Sequence, residues 1–170
     1  MKSLLVFAFM VMLTVLTSCS TIYDVTYDYD NHINFSHHKT FDWLLIKMKA
    51  GEDTITIKRI QNAANKNLLN KGYRQSSTSP DFIIVTLFET RQRSAEAPDP
   101  YAADFSPYTT PPPRYYQEGN VVLDFVDPED KQLIWRGSAR ADLSEIKTPE
   151  QIEKTIDEAV DKILKKFPPQ

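Results

Sequence analysis

One cysteine, Cys19, occurs in 170 residues, so no disulfide can form within the chain. Glycine is nearly as scarce. Gly51, Gly72, Gly119 and Gly137 lie too far apart for either common phosphate-cradling loop, which needs clustered glycines to bring backbone N–H groups against an anion. Neither a G-x-S-x-G nucleophile motif nor an H-E-x-x-H zinc motif is present. Charge of one sign is missing too. The 20 Lys and Arg against 23 Asp and Glu leave a formal charge of −3, without the basic excess that a phosphate backbone calls for. With 41% hydrophobic and 25% charged residues, the composition is that of a globular domain, not of a collagen, a disordered chain or a multi-span membrane protein.

What is there begins with an address. Lys2 precedes an apolar run over residues 4–16, followed by the small residues Thr17 and Ser18. The run is shorter than the ~20 residues a membrane-crossing helix needs, and the order of charge, apolar run and small residues reads as a secretory signal peptide over residues 1–18. Leu16-Thr17-Ser18-Cys19 resembles the lipobox of bacterial lipoproteins. That resemblance implies a diacylglyceryl group on the Cys19 thiol, cleavage just before it, and acylation of the new amine. Two or more chains at about 0.8 kcal/mol per buried methylene hold a protein stably where one is marginal. Ser20 stands where an Asp would favour inner-membrane retention in a Gram-negative lipoprotein, so the expected station is the periplasmic face of the outer membrane. Residues 19–22 are the lipidated terminus and a short tether.

The mature chain alternates between strand and helix signals. In residues 22–30, Tyr23, Val25, Tyr27 and Tyr29 fall on one face and Asp24, Thr26, Asp28 and Asp30 on the other, the period of a strand. Residues 40–46 predict a second strand with Phe41, Trp43 and Leu45 on one face. Asp53 or Thr54 can cap a helix whose stripe is Ile57, Ile60, Ala64 and Leu68 and whose stop is Gly72. Residues 81–90 are apolar on both faces around Phe82 to Phe88, which predicts a central strand covered on both sides. Residues 121–126 and 132–141 flank Asp127-Pro128-Glu129-Asp130-Lys131 and predict a hairpin. Thr148-Pro149-Glu150-Gln151 is a capping signature for a last helix with the stripe Ile152, Ile156, Ala159, Val160, Ile163 and Phe167. Between the third and fourth strands lies a Pro-rich loop at residues 95–113. The order predicts an α+β class: one mainly antiparallel sheet of about five strands with two helices packed on one face, in a single domain over residues 23–170.

In order along the chain, Lys39-Thr40-Phe41-Asp42-Trp43, Lys71-Gly72-Tyr73, Pro80-Asp81-Phe82-Ile83-Ile84-Val85, Leu123-Asp124-Phe125, Leu133-Ile134-Trp135-Arg136-Gly137 and Phe167-Pro168-Pro169 resemble the bacterial lipoprotein family catalogued as domain of unknown function 4136. The resemblance covers nearly the whole mature chain. It implies a lipid-anchored α+β envelope domain and carries over no catalytic residue.

Other chemistry is sparse. His32, His37 and His38 lie near Asp28 and Asp30 and are weak metal candidates, since their spacing matches no metal motif; a solvated polar turn is the plainer reading. No metal and no cofactor is expected. In the Pro-rich stretch, Tyr101, Phe105, Tyr108, Tyr115 and Tyr116 could form a partner-binding loop, because proline lowers the ordering cost and tyrosine offers contact area with a polar tip. Trp43 and Trp135 suit packing. Arg136 and Arg140 share a strand face, where they could pair with Asp124 across the hairpin or hold a small anion. Glu153, Asp157 and Asp161 suit a solvated helix face. The functional expectation is a lipid-anchored, non-catalytic binding or structural module of the envelope, its partners membrane lipid through Cys19 and an envelope protein or cell-wall component, with no nucleic acid. The alternative is a small-ligand or metal-binding lipoprotein; a hydrolase ranks third.

Overall fold

Local chemistry sets the helix ends. Asp53 closes the N-terminus of α1 (Thr54–Asn70) by accepting the Thr56 N–H. At the other end the Gly72 N–H donates to the Leu69 carbonyl and the Tyr73 N–H to the Leu68 carbonyl, with Gly72 at φ +88°, a left-handed stop that only glycine adopts without strain. The second helix, α2 (Pro149–Leu164), opens on a complete capping box between Thr148 and Gln151 with Pro149 in its first turn. All three features follow from residues within a turn of one another, and all three were expected.

The structure is a computed structural model that describes residues 21–44, 53–94 and 115–169. Its strands are β1 (Ile22–Tyr29), β2 (Thr40–Trp43), β3 (Arg74–Gln75), β4 (Phe82–Ser94), β5 (Tyr115–Val126) and β6 (Leu133–Asp142). They form one six-stranded sheet in the order β1-β6-β5-β4-β2-β3. The α+β class and the two helices on one face hold. The sixth strand is β3, a two-residue edge too short to show a pattern. The sheet is antiparallel from β1 to β4, but β2 runs parallel to both β4 and β3. A helix between two neighbouring strands carries the chain back to the end where it started, so a parallel pair results. The β2 and β4 starts are also tied together: one Asp81 carboxylate oxygen accepts the Lys39 and Thr40 N–H groups at 2.7 and 2.8 Å and the Thr40 hydroxyl at 2.8 Å.

The β4–β5 ladder runs from Ile83 opposite Val126 to Ser94 opposite Tyr115, well beyond the apolar stretch of either strand. Backbone pairing does not need apolar side chains, so the hydrophobic pattern underestimated both lengths. Tyr115 and Tyr116, expected in the loop, are therefore the first two residues of β5.

A bulge corrects the faces of β1. Ile22 opposes Ala141 while Asp24 opposes Arg140, which leaves Tyr23 as an extra residue. Ile22 is buried, and the Tyr23 hydroxyl reaches across the opposite face to donate to Glu118. Tyr23 thus does not share a face with Val25, Tyr27 and Tyr29. A second correction concerns β4. Its inner side chains Phe82 and Ile84 are fully buried, but Leu87 on the outer face is 42% exposed, so β4 is not covered on both sides. Among the described residues both helices lie against the same face.

Candidate functional site

The buried face of the sheet changes in side-chain size from one end to the other. At one end Phe125 of β5, Trp135 of β6 and Phe82 of β4 close around Phe167, with ring centroids 4.4 to 5.7 Å from it. Moving along the same rows, β5 presents Leu123, Val121 and Gly119 while β6 presents Gly137, Ala139 and Ala141, paired residue for residue. The aromatic end fills the space between sheet and helices. The small-residue end does not, and a cavity of about 230 Å³ opens there.

Its walls come from every layer. Gly119, Val121, Ala139 and Ala141 form the sheet side, Ile152, Ile156 and Ala159 the α2 side, and Phe88, Leu143 and Ile146 close the flanks. Thr90, Gln117 and Asp53 line it as well and are exposed, so they mark the mouth. Among the described residues no Lys, Arg or His lines the cavity, and Asp53 is the one ionisable group. That carboxylate is already engaged: its oxygens accept the Thr56 N–H at 2.9 Å and the Thr56 hydroxyl at 2.6 Å. These hydrogen bonds hold the Asp53 carboxyl below its usual range, against the opposing effect of burial. The Thr155 hydroxyl donates to the Gln151 carbonyl at 2.9 Å. The arrangement can accept an apolar group; the hydroxyl–carboxylate pair it holds, Thr56 with Asp53, is engaged in capping α1.

The start of β1 lies beside this cavity. The Asp142 N–H donates to the Thr21 carbonyl at 3.1 Å, and Ile22 pairs with Ala141, itself a wall residue. Thr21 borders a neighbouring depression that shares Ile146 and Thr155 with the cavity.

The face of the sheet opposite the helices carries an ordered ladder of charge. Arg136 grips Asp124 with two parallel bonds of 2.6 and 2.5 Å, the cross-hairpin pair expected from the sequence. The hydrogen bond to Asp124 raises the Arg136 pKa further. Arg140 pairs with Asp24 on β1 at 3.1 Å, not with Asp124, because β1 lies against β6. Glu118, nearly buried, accepts from Tyr23 and from Arg93, the latter at 3.3 Å. The Tyr23 bond is the largest influence lowering the Glu118 pKa; burial opposes it and Arg93 reinforces it. Burial of the Tyr23 hydroxyl and its bond to the same carboxylate raise the phenol well above its ordinary range.

Of the residues singled out by sequence, Cys19, Tyr101, Phe105 and Tyr108 lie outside the described residues. Tyr115 is exposed at the start of β5 and Tyr116 half-buried beside it. The three histidines sit apart in role. The His32 N–H donates to Asp30, His37 ends a 3-10 turn, and the His38 ring lies between Phe35 and Phe82 with its Nδ1 3.1 Å from the Asn34 carbonyl. Among the described residues no three His, Cys, Asp or Glu side chains gather as a metal site would require. Trp43 and Trp135 are both buried, and the Trp43 indole donates to Asn65 at 2.9 Å. The cavity itself was not anticipated. Its signal in the sequence is the decline from Phe125 to Gly119 and from Trp135 to Ala141, which becomes meaningful only when the two rows are set in register.

Comparison with known proteins places the chain more firmly. The family model described as Domain of unknown function (DUF4136) matches residues 25–169. No curated protein matches. Among solved structures, a PDZ domain protein from Parabacteroides distasonis is similar with a TM-score of 0.60 at 12% identity, the match covering 88% of this chain and 36% of that one. PelC from Paraburkholderia phytofirmans, solved as a dodecamer, is similar with a TM-score of 0.50 at 10% identity over 83% of this chain and 94% of that one. These likenesses are of fold. The chain spans about a third of the PDZ protein and nearly all of the PelC chain. No described helix is long and apolar enough to cross a membrane.

Proposed function

The chain belongs to the DUF4136 family, and on that premise we propose that it is an envelope lipoprotein, held to a membrane through acyl groups on Cys19 and acting by binding without catalysis. The observation that carries the binding role is the apolar cavity, whose one ionisable side chain among the described residues is committed to capping α1. The lipobox-like Leu16-Thr17-Ser18-Cys19 and the use of a single cysteine support the anchor. The tether is short: Cys19 precedes the first residue of β1, Ile22, by three positions, so at ~3.3 Å per residue the domain stands within about 10 Å of its lipid. The station we propose is the periplasmic face of the outer membrane, consistent with Ser20 after the cysteine. Residues 95–113, with Tyr101, Phe105 and Tyr108, are the proposed arm toward an envelope protein or cell-wall partner. The cavity also favours the second reading, a small-ligand-binding lipoprotein, and the two readings are compatible.

The experiment is intact-mass spectrometry with detergent phase partition of the protein produced in a Gram-negative host. The expected species begins at residue 19, carries diacylglyceryl and amide-linked acyl masses and enters the detergent phase, while Cys19→Ser stays unlipidated. A mature wild-type form with a free thiol in the aqueous phase overturns the anchor. Deletion of residues 95–113 should remove crosslinked envelope partners; an unchanged partner set takes the arm out of the reading.

A further inference from the structure

We propose that the cavity between β5, β6 and α2 is a binding site for one uncharged, ester-linked acyl chain, inserted methyl end first. The size is right for part of a chain. An apolar cavity of ~150 Å³ holds benzene, with six carbons, so about 230 Å³ takes roughly nine carbons by the same proportion. The walls are Val121, Leu143, Ile146, Ile152 and Ile156 over a floor of Gly119 and alanines, and the hydroxyls of Thr56 and Thr155 on its lining already donate within the protein.

The mouth selects against a charged head. A free fatty acid would bring its carboxylate beside the Asp53 carboxylate, and the cation whose charge reaches Asp53, Arg59, stands outside the described lining residues, so like-charge repulsion beside a low-dielectric wall disfavours it. An ester or alcohol carries no such penalty and can be met by Thr90 and Gln117.

Position points to lipid as the source. Thr21 borders the depression that shares Ile146 and Thr155 with the cavity. Cys19 lies two residues before Thr21, within about 7 Å along the chain. The acyl chain could therefore belong to the anchor on Cys19 or to a neighbouring membrane lipid, and the first of these rests on the lipidation proposed above.

The test uses the small fluorophore 1-naphthol, uncharged at neutral pH, with the mature chain carrying Cys19→Ser and with the lipidated protein. The unlipidated chain should bind the fluorophore saturably, and 1-octanol should displace it at a concentration at least about tenfold lower than octanoate, equivalent to ~1.4 kcal/mol. Ala139→Leu and Ala159→Leu each fill the cavity and should abolish binding while the protein still melts cooperatively; two variants on opposite walls guard against one failing to fold. Lipidated protein that does not bind the fluorophore assigns the site to the Cys19 anchor, and lipidated protein that binds it assigns the site to a neighbouring lipid. Intact mass reports lipidation separately, so a failed anchor is not mistaken for an empty cavity. Undiminished binding in both filled variants, or octanoate competing as well as octanol, overturns the proposal.

Discussion

Replacing Gly137 by alanine adds one methyl group at a closely packed point of the sheet. A Cβ built there falls 2.3 Å from Trp135 Cη2, 2.9 Å from Trp135 Cζ3 and 2.6 Å from Ile163 Cγ2. Trp135 and Ile163 are fully buried. The indole cannot swing away freely, since Phe125 and Phe167 hold it with ring centroids at 4.8 and 5.2 Å. Overpacking a filled core typically costs about 1–3 kcal/mol, and a clash with a trapped ring on one side and α2 on the other belongs at the upper end, ~3 kcal/mol. For a domain of this size each kcal/mol lowers the melting temperature by about 2–4 °C, so Gly137→Ala should melt roughly 6–12 °C below wild type. Urea unfolding should show a lower midpoint at unchanged slope, and near-UV circular dichroism should report the displaced indole. Trp135→Phe/Gly137→Ala should be less damaging than the sum of its single changes by about 1 kcal/mol, because the smaller ring leaves room for the new methyl group. Gly137→Ala melting within a degree or so of wild type, or strict additivity in the double variant, would refute the packing argument.

Two further outcomes follow from charge. The folded-state pKa of Glu118 is lowered, so its contribution is present above the unfolded pKa and lost as pH falls through the folded value; Glu118→Gln should therefore flatten the decline in urea midpoint below about pH 5, and an acid limb as steep as that of wild type excludes this role. Asp53→Ala should lower stability by about 1 kcal/mol through loss of the α1 cap and should narrow the octanol-to-octanoate difference at the cavity; an unchanged preference shows that Asp53 does not set the selectivity.

Features of short range were legible in the residues themselves. The α1 stop at Gly72, the capping box at Thr148, the charged hairpin turn and the Arg136–Asp124 pair each depend on residues close in sequence or directly opposite in one hairpin. The bulge that turns Tyr23 toward Glu118 was not legible, because it depends on how β1 meets β6, more than a hundred residues away. The same holds for the Arg140–Asp24 pair. Leu87 read as a buried residue because hydrophobicity reports what a side chain prefers, whereas exposure depends on which face the helices occupy.

Sequence alone thus determined both helix starts, the α1 stop, the α+β class and, through residues 16–19, the proposal of a lipid anchor, whereas the end of α2 at Leu164, short of Phe167, was set by the tertiary structure. Tertiary structure decided the parallel place of β2, the six-stranded order and the cavity. Those depend on register: glycine and alanine on β5 and β6 become an open space only when the strands align them opposite Ala159 and Ile156 of α2, and no local property of any one residue encodes that meeting.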